Sequence, residues 1–286
     1  MSAVTVDNEL VHYEVLGRGR PVIFVHGWLG SWRYWIPTMQ QLAVKFRTYA
    51  LDLWGFGDSS KSFAGGEDRY GLEHQVALLR QFMERMGIER AAMVGHGLGG
   101  TVVVKYAAGN PGRVPRAIAI SSPVMGGWLT PDLNNPSLAQ LTSLAARAVS
   151  DSSAQSELEA EIAKVDVQAV IRSALNIRGE DTGNGAPIDL RPLLFDILDM
   201  DTTPPNMVML LHGTQDALVR FPDDDSLDAL DQHDRFVFIE LEDSRHFPMV
   251  DATAKVTRLI TAFLELQPGQ KLKDLQPKDQ WRRRMR

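Results

Sequence analysis

The feature that most constrains the fold is a glycine-rich turn, VGHGLGG, at residues 94–100. It joins a short apolar run at 91–94 to a helical-looking stretch at 101–108. Three of its glycines, Gly95, Gly97 and Gly100, fit G-x-G-x-x-G, the turn that holds a dinucleotide pyrophosphate at a helix N-terminus. The same letters differ by one residue from G-x-S-x-G, a strained turn that presents a nucleophilic serine, with Gly97 in the serine position. Either interpretation requires a strand, a tight turn and a helix here.

The dinucleotide interpretation makes two further demands on the sequence. The fingerprint should open the first strand–helix unit, and an acidic residue should follow about 20 residues later to hold the ribose. At least two strand–helix units precede this turn, and the next strand ends in Ser121 and Ser122, with no acidic residue there. The sequence therefore disfavours a nucleotide cofactor, and we predict none.

Apolar runs and amphipathic stretches alternate through the first 125 residues. After a predicted hairpin at 4–16, candidate strands lie at 20–27, 47–55, 91–95 and 116–121, and candidate helices lie at 35–46, 71–86 and 98–109. Continuous apolar strands alternating with amphipathic helices are typical of an α/β protein with a mostly parallel central sheet covered by helices on both sides.

This alternation stops near Met125. Only helical patterns follow, at 138–149, 156–177 and 190–200, before a strand at 206–213, a helix at 224–230, a strand at 235–241 and a closing helix at 250–266. We therefore predict one core built from residues 1–125 and 204–266, an inserted helical cap at 126–203, and a basic C-terminal tail at 267–286.

Four further motifs decide between the two interpretations of the glycine-rich turn. HGWLGS at 26–31 resembles the H-G-x-x-G oxyanion loop of the α/β-hydrolase fold, and DLWGFGDSS at 52–60 resembles that superfamily's D-x-x-G-x-G-x-S turn. LHGTQDALV at 211–219 resembles the segment that supplies the acid of the catalytic triad, and SRHFPMVDA at 244–252 the loop that supplies its histidine. Motifs in this order identify the chain as a member of the superfamily, of the serine-hydrolase type with a helical cap.

The resemblance assigns roles to particular residues. Gly97 occupies the nucleophile position without a nucleophile, and glycine adopts the strained apex conformation at little cost. His246 becomes the general base and Asp216 its orienting carboxylate. The backbone N–H groups of Trp28 and Leu98 become the oxyanion hole. An apolar substrate pocket is predicted from Trp28 together with Trp54, Phe247 and Met249.

The remaining candidate residues receive structural interpretations. His26 fits a structural histidine of the oxyanion loop, and His96, beside the apex, is expected to point away from the site. The acidic run 223–225 invites a metal-site hypothesis, but consecutive side chains diverge, which favours a solvated helix start. With zero cysteines, the chain has neither disulfides nor thiolate ligands, and we predict no metal site.

Charge and composition limit the partners. The net charge is −6, and from Lys271 onward seven Lys and Arg face two Asp, so the tail carries +5 and the rest −11. An acidic body argues against nucleic-acid binding, whereas the tail either contacts an acidic surface or is a solvated terminus. The sequence shows neither a signal-peptide pattern nor an apolar run long enough for a transmembrane segment, so we expect a cytoplasmic protein. Its oligomeric state is left open.

Three classes of function follow from the resemblance. In the first, the protein derives from a hydrolase of small, largely apolar, ester-like substrates, and is inactive or reacts only through the Asp216–His246 dyad and the oxyanion hole. In the second, it is a cofactor-free lyase or oxygenase with His246 as base. In the third, it binds a small ligand or a partner without chemistry. Turnover of activated esters, or affinity without turnover, distinguishes them.

Overall fold

One eight-stranded sheet organises the protein in the computed structural model, which describes residues 2–64, 69–110, 112–180, 185–222, 224–267, 270 and 272–275. The strands are β1 (Ser2–Val6), β2 (Glu9–Leu16), β3 (Arg20–Val25), β4 (Phe46–Leu51), β5 (Ala92–His96), β6 (Arg116–Ile120), β7 (Met207–Gly213) and β8 (Phe236–Leu241). Their order is β1-β2-β4-β3-β5-β6-β7-β8. β2 pairs antiparallel with both β1 and β4, and all other pairs are parallel. The predicted fold class is confirmed.

Ten α-helices are described around this sheet. They are α1 (Ile36–Leu42), α2 (Leu72–Arg85), α3 (Leu98–Gly109), α4 (Leu138–Ala148), α5 (Ser152–Ile162), α6 (Val167–Arg178), α7 (Arg191–Asp199), α8 (Asp224–Asp231), α9 (Pro248–Asp251) and α10 (Thr253–Glu265). α1 packs against α10, whereas α3 packs between α2 and α7, so two helical layers cover the sheet. No helix in the described part of the chain has the length and apolarity needed to cross a bilayer.

The central strands are apolar throughout because both of their faces are covered. Ile23, Phe24 and Val25 of β3 have no exposed surface, and neither do Met93 and Val94 of β5. Covered on both sides, a parallel strand contributes every side chain to the core, which explains the short continuous apolar runs in the sequence. The parallel strands therefore hold the loops at their carboxyl ends in fixed relative positions.

The helices between β6 and β7 depart from the sequence prediction in two ways. The single helical pattern at 156–177 is two helices, α5 and α6, because Asp166 accepts a hydrogen bond from the Gln168 N–H and starts a new helix. α7 falls within the predicted cap range 126–203 but packs against α3 and β7, in the helical layer of the core. The division into core and cap stays a prediction. The predicted tail from residue 276 onward lies outside the described residues.

Candidate active site

The glycine turn between β5 and α3 forms a sharp elbow. Gly97 at its apex has φ +52° and ψ −118°, a region that side-chain-bearing residues rarely occupy. The neighbouring glycines are required by close packing instead: a Cβ on Gly95, Gly99 or Gly100 would overlap the Gly99 carbonyl, the Val25 carbonyl or the Ser122 Oγ, respectively. The turn therefore needs glycine at four positions for two different reasons.

At Gly97 there is room for a side chain. A Cβ placed there would lie 3.3 Å from Trp28 Cε3 and 3.5 Å from both Gly27 Cα and His246 Nε2. These separations are close to ordinary van der Waals contact, so backbone conformation rather than space favours glycine. The elbow thus admits a Cβ at Gly97, and that Cβ would lie beside His246 Nε2.

His246 and Asp216 form a fully buried pair. His246 Nδ1 lies 2.9 Å and 3.0 Å from the two carboxylate oxygens of Asp216. A carboxylate accepts hydrogen bonds, so Nδ1 is the ring nitrogen that donates here, and Nε2 is the ring nitrogen left to interact at the elbow. His246 Nε2 is buried, has no hydrogen-bond partner among the described residues, and faces the space at Gly97. The structure brings all three sequence-predicted positions together.

Asp216 is held in its ionised form. Its Oδ1 accepts hydrogen bonds from the backbone N–H groups of Leu218 (2.8 Å) and Val219 (3.0 Å). Burial alone would raise the pKa of Asp216, but the electrostatic interaction and hydrogen bond with His246, together with His212 and the Val219 N–H, outweigh burial and lower it. The pair therefore combines an anionic carboxylate with an imidazole whose free nitrogen points at the elbow.

His96 does not point away from the site, contrary to the sequence expectation. Its ring lies 4.6 Å from the His246 ring, and its Nε2 donates to the His246 carbonyl at 2.8 Å. Its Nδ1 accepts from the Tyr34 hydroxyl at 3.0 Å, and that hydroxyl accepts from the Gly27 N–H at 2.7 Å. Burial lowers the pKa of His96 well below its usual value, so the ring stays neutral. This chain of bonds links the oxyanion loop to His246.

Two backbone donors border the elbow. Trp28 follows β3 in the loop at 26–31, and Leu98 is the first residue of α3. Neither backbone N–H has an acceptor within the described residues, although both residues are fully buried. Free buried N–H groups beside a helix N-terminus can stabilise an oxyanion. His26, as expected, is structural: its ring bonds the Gly27 carbonyl and the Leu53 N–H.

The predicted pocket residues are buried and pack on different neighbours, and their role as a substrate pocket stays a prediction. Phe247 packs beside His96 and His246, whereas Trp54 packs on Phe63. Met249 is the buried second residue of the short helix α9. A separate cavity of about 330 Å³ lies between α5 and Tyr34, with Arg33, Leu158 and Val250 in its walls.

The loop that carries His246 is fastened to the junction of α4 and α5. Arg245 donates to the Val149 carbonyl at 2.6 Å, and the Phe247 N–H donates to the Ala148 carbonyl at 3.3 Å. Asp251 accepts from the Arg245 N–H and from the Ser150 N–H, both at 2.8 Å. No sequence signal revealed the bonds to the α4–α5 junction, because their partners lie about a hundred residues apart.

Within the described part of the chain, one cluster has the ligand types of a metal site, His12 with Asp52 and Asp58. Asp52 is already engaged: its oxygens accept from His12 Nδ1 (3.1 Å), the Asp58 N–H (3.0 Å) and the Trp32 N–H (2.9 Å). These bonds join β2, the oxyanion loop and the 52–60 turn, so the cluster is a structural junction. The side chains of Asp223 and Asp224, from the other acidic run, lie outside the described residues.

The sheet order, the elbow and the buried histidine–aspartate pair define an α/β-hydrolase-type protein. Comparison with known families agrees, because residues 20–252 match the alpha/beta hydrolase fold family. The chain belongs to that family.

Individual relatives resemble parts of the chain. It is 33% identical over 106 residues to the soluble epoxide hydrolase of Corynebacterium sp. (strain C12), covering 37% of this chain and 36% of that protein. It is 38% identical over 120 residues to the dihydrolipoyllysine-residue acetyltransferase component of the acetoin cleaving system of Cupriavidus necator, covering 42% and 31%. The chain thus spans about a third of the length of these curated relatives.

Solved structures share the fold over nearly the whole chain. The enol-lactonase from Burkholderia xenovorans LB400 superimposes with a TM-score of 0.75, covering 93% of this chain and all of that one, at 17% identity. The bromoperoxidase from Bacillus anthracis gives 0.74 at 18% identity, covering 90% and 96%. At these identities the likeness establishes the fold.

Proposed function

We propose that this protein hydrolyses small, largely apolar, ester-like substrates without forming a covalent intermediate. The observation that carries the proposal is the buried His246 Nε2, which has no hydrogen-bond partner within the described residues and lies 3.5 Å from the position of a Cβ on Gly97. A water molecule held beside Gly97 would take the place of a serine hydroxyl. His246 would then activate water directly instead of activating a nucleophilic side chain.

Each step uses a group of this chain. His246 Nε2 removes a proton from the water while the water oxygen attacks the ester carbonyl carbon. The charge that develops on the carbonyl oxygen is stabilised by the Trp28 and Leu98 N–H groups. Ionised Asp216 stabilises the imidazolium, which then protonates the departing alkoxide as the tetrahedral intermediate collapses. The products are a carboxylic acid and an alcohol.

The relatives support a small-molecule substrate but not its exact chemistry. One relative is named for epoxides, and a structural neighbour for an enol lactone. Gly97 offers no side chain that could open an epoxide covalently, whereas paired N–H donors suit the oxygen of a carbonyl group. Ester-like carbonyl compounds are therefore the substrate class that we propose.

The experiment compares p-nitrophenyl butyrate hydrolysis by the wild type, Gly97→Ala and His246→Ala. We expect slow steady turnover by the wild type, about 10³- to 10⁴-fold above the reaction in water, with no burst and no labelling by a fluorophosphonate. Gly97→Ala adds a methyl group in the proposed water space, so its rate should fall to that of His246→Ala. Circular dichroism verifies that both variants fold.

Two results would overturn the proposal. A stoichiometric burst or a covalent adduct would mean that another residue acts as nucleophile. A wild-type rate equal to that of His246→Ala would mean that the dyad performs no hydrolysis, and saturable binding of the same ester would then favour a ligand-binding function.

A further inference from the structure

A second cavity, of about 240 Å³, opens at the opposite edge of the sheet from the elbow. Arg20 at the start of β3 and Phe46 at the start of β4 line it, together with Arg90, two residues before β5. Its other walls include Val22, Pro115 and Leu264, so two arginines face an otherwise apolar space. Because parallel strands begin here and end at the elbow, the two sites are separated by the length of the sheet.

A third arginine adds to the positive charge. Arg116 is the next residue after Pro115, which lines the cavity, and its pKa is lowered by burial and by the nearby charges of Arg20 and Arg90. Across the described ranges, no carboxylate forms an ion pair with any of these three arginines. Three uncompensated cations therefore repel one another on a chain whose net charge is −6.

Existing hydrogen bonds leave donors unused. Arg90 donates through its Nη atoms to the Thr203 and Pro204 carbonyls, and Arg116 donates through Nη1 to the Pro115 and Pro205 carbonyls. The Nε atoms of Arg90 and Arg116 are buried and have no partner within the described residues. Arg20 lies over the Phe46 ring, 5.5 Å from its centroid. Carbonyl contacts do not neutralise a guanidinium, so the charge of the cluster remains available.

We propose that this cavity binds a small amphipathic anion, an oxyanion head group on a short apolar body. The arginines supply charge-assisted donors for the head, and the apolar walls bury the body. The volume is below the roughly 300–1,000 Å³ of pockets for drug-sized ligands, which limits the occupant to a short chain. Carboxylate and phosphate heads share this chemistry. The site is independent of the proposed hydrolysis, since none of its residues contacts the elbow.

Titration calorimetry with hexyl phosphate and with hexanoate tests the proposal in wild type and in Arg20→Gln. Loss of one charge-assisted contact should weaken binding by about tenfold. Arg47→Gln is the matched control, because Arg47 is also exposed and lies over an aromatic ring, 5.3 Å from the Tyr49 centroid, but outside the cavity. It should bind as the wild type does, and the tighter of the two ligands identifies the head group.

Hexanol and inorganic phosphate each lack one half of the proposed ligand and should bind more weakly than hexyl phosphate. The proposal is overturned if Arg20→Gln binds hexyl phosphate as tightly as the wild type does. It is also overturned if the wild type binds hexanol as tightly as hexyl phosphate. Binding that disappears in His246→Ala would place the ligand in the elbow site and would also overturn it. Unchanged binding in that variant supports a separate site, whatever the outcome of the hydrolysis assay.

Discussion

At the scale of single residues, Gly97 is distinguished from its neighbours by what a side chain would meet. Gly95, Gly99 and Gly100 leave no room for a Cβ, whereas Gly97 leaves room but has φ +52° and ψ −118°. A substitution at Gly97 therefore costs backbone strain without a steric clash. The elbow lacks a hydroxymethyl group, while His246 Nε2 lies 3.5 Å from where its Cβ would be.

Gly97→Ser should create a covalent ester hydrolase. The new Cβ would lie 3.5 Å from His246 Nε2, which brings the hydroxyl within reach of the base. We expect a burst with p-nitrophenyl butyrate, labelling by a fluorophosphonate and a rate several orders of magnitude above the wild type. Strain at the apex should lower the free energy of unfolding by about 1–3 kcal/mol.

Gly97→Ala introduces the same strain without the hydroxyl and is the control for stability. Adding His246→Ala to Gly97→Ser should remove the new activity. If Gly97→Ser folds but is no faster than that double variant, the remaining groups are not arranged for acyl transfer.

Tyr34→Phe should disturb the site without touching the dyad. The hydroxyl bonds both the Gly27 N–H and His96, and its removal leaves two buried polar groups unsatisfied. The expected loss of stability is about 1–3 kcal/mol, with a lower kcat for the esterase created at Gly97. Tyr49→Phe, whose ring packs on Phe82, is the control. Equal effects of the two variants on kcat would show that the Tyr34 hydroxyl has no specific role in positioning the site.

At the scale of secondary-structure elements, the α4–α5 junction and the His246 loop behave as one unit. Arg245, Phe247 and Asp251 each bond a residue of that junction, on both sides of His246 in the sequence. Moving α4 away from the core would therefore pull on His246. The position of the base depends on the helices that cover it.

Asp251→Ala should loosen this unit. It removes the acceptor of the Arg245 N–H and of the Ser150 N–H and hydroxyl. We expect faster amide hydrogen exchange at 245–250 and a lower rate of ester hydrolysis. Ligand binding at the cavity lined by Arg20 should not change. Ser150→Ala removes only the hydroxyl bond and should have a small effect. Unchanged exchange in Asp251→Ala would contradict a role in holding the loop.

The sequence predicted those parts of the fold that depend on local patterns. Continuous apolar runs located β3 and β5, and the motif order placed Gly97, Asp216 and His246 at one edge of the sheet. The boundary between α5 and α6 was missed because apolar spacing continues across it, although Asp166 is a good N-cap residue. Tyr34, His96 and Arg245 acquire their partners only through packing between distant loops, which no local pattern encodes.

At the scale of the whole molecule, three buried histidines couple folding to pH. Burial lowers the pKa of His26, His96 and His212, against the opposing effect of nearby Asp52 and Asp216. The unfolded chain therefore binds more protons than the folded protein below the ordinary histidine pKa of 6.5. Their contribution favours folding at neutral pH and weakens as the pH falls.

Stability should accordingly decrease as the pH is lowered from 7 to 5. Each of the three histidines contributes a slope of up to about 1.4 kcal/mol per pH unit below 6.5. The lowered pKa values of Asp52 and Asp216 add a further loss only below the ordinary aspartate pKa of 3.8. Urea unfolding at pH 7, 6 and 5 measures the slope. His212→Gln should reduce it, and a flat profile would contradict this assignment.

The glycine at the elbow also changes what steady-state kinetics report. When the chemical step is much slower than substrate release, the Michaelis constant equals the dissociation constant of the substrate complex. A chain that performs slow water-based hydrolysis meets this condition. Its Michaelis constants across a series of esters would therefore rank how tightly the site binds each ester in the ground state. Comparing them with the kcat/KM values of Gly97→Ser for the same esters would separate ground-state binding from transition-state stabilisation.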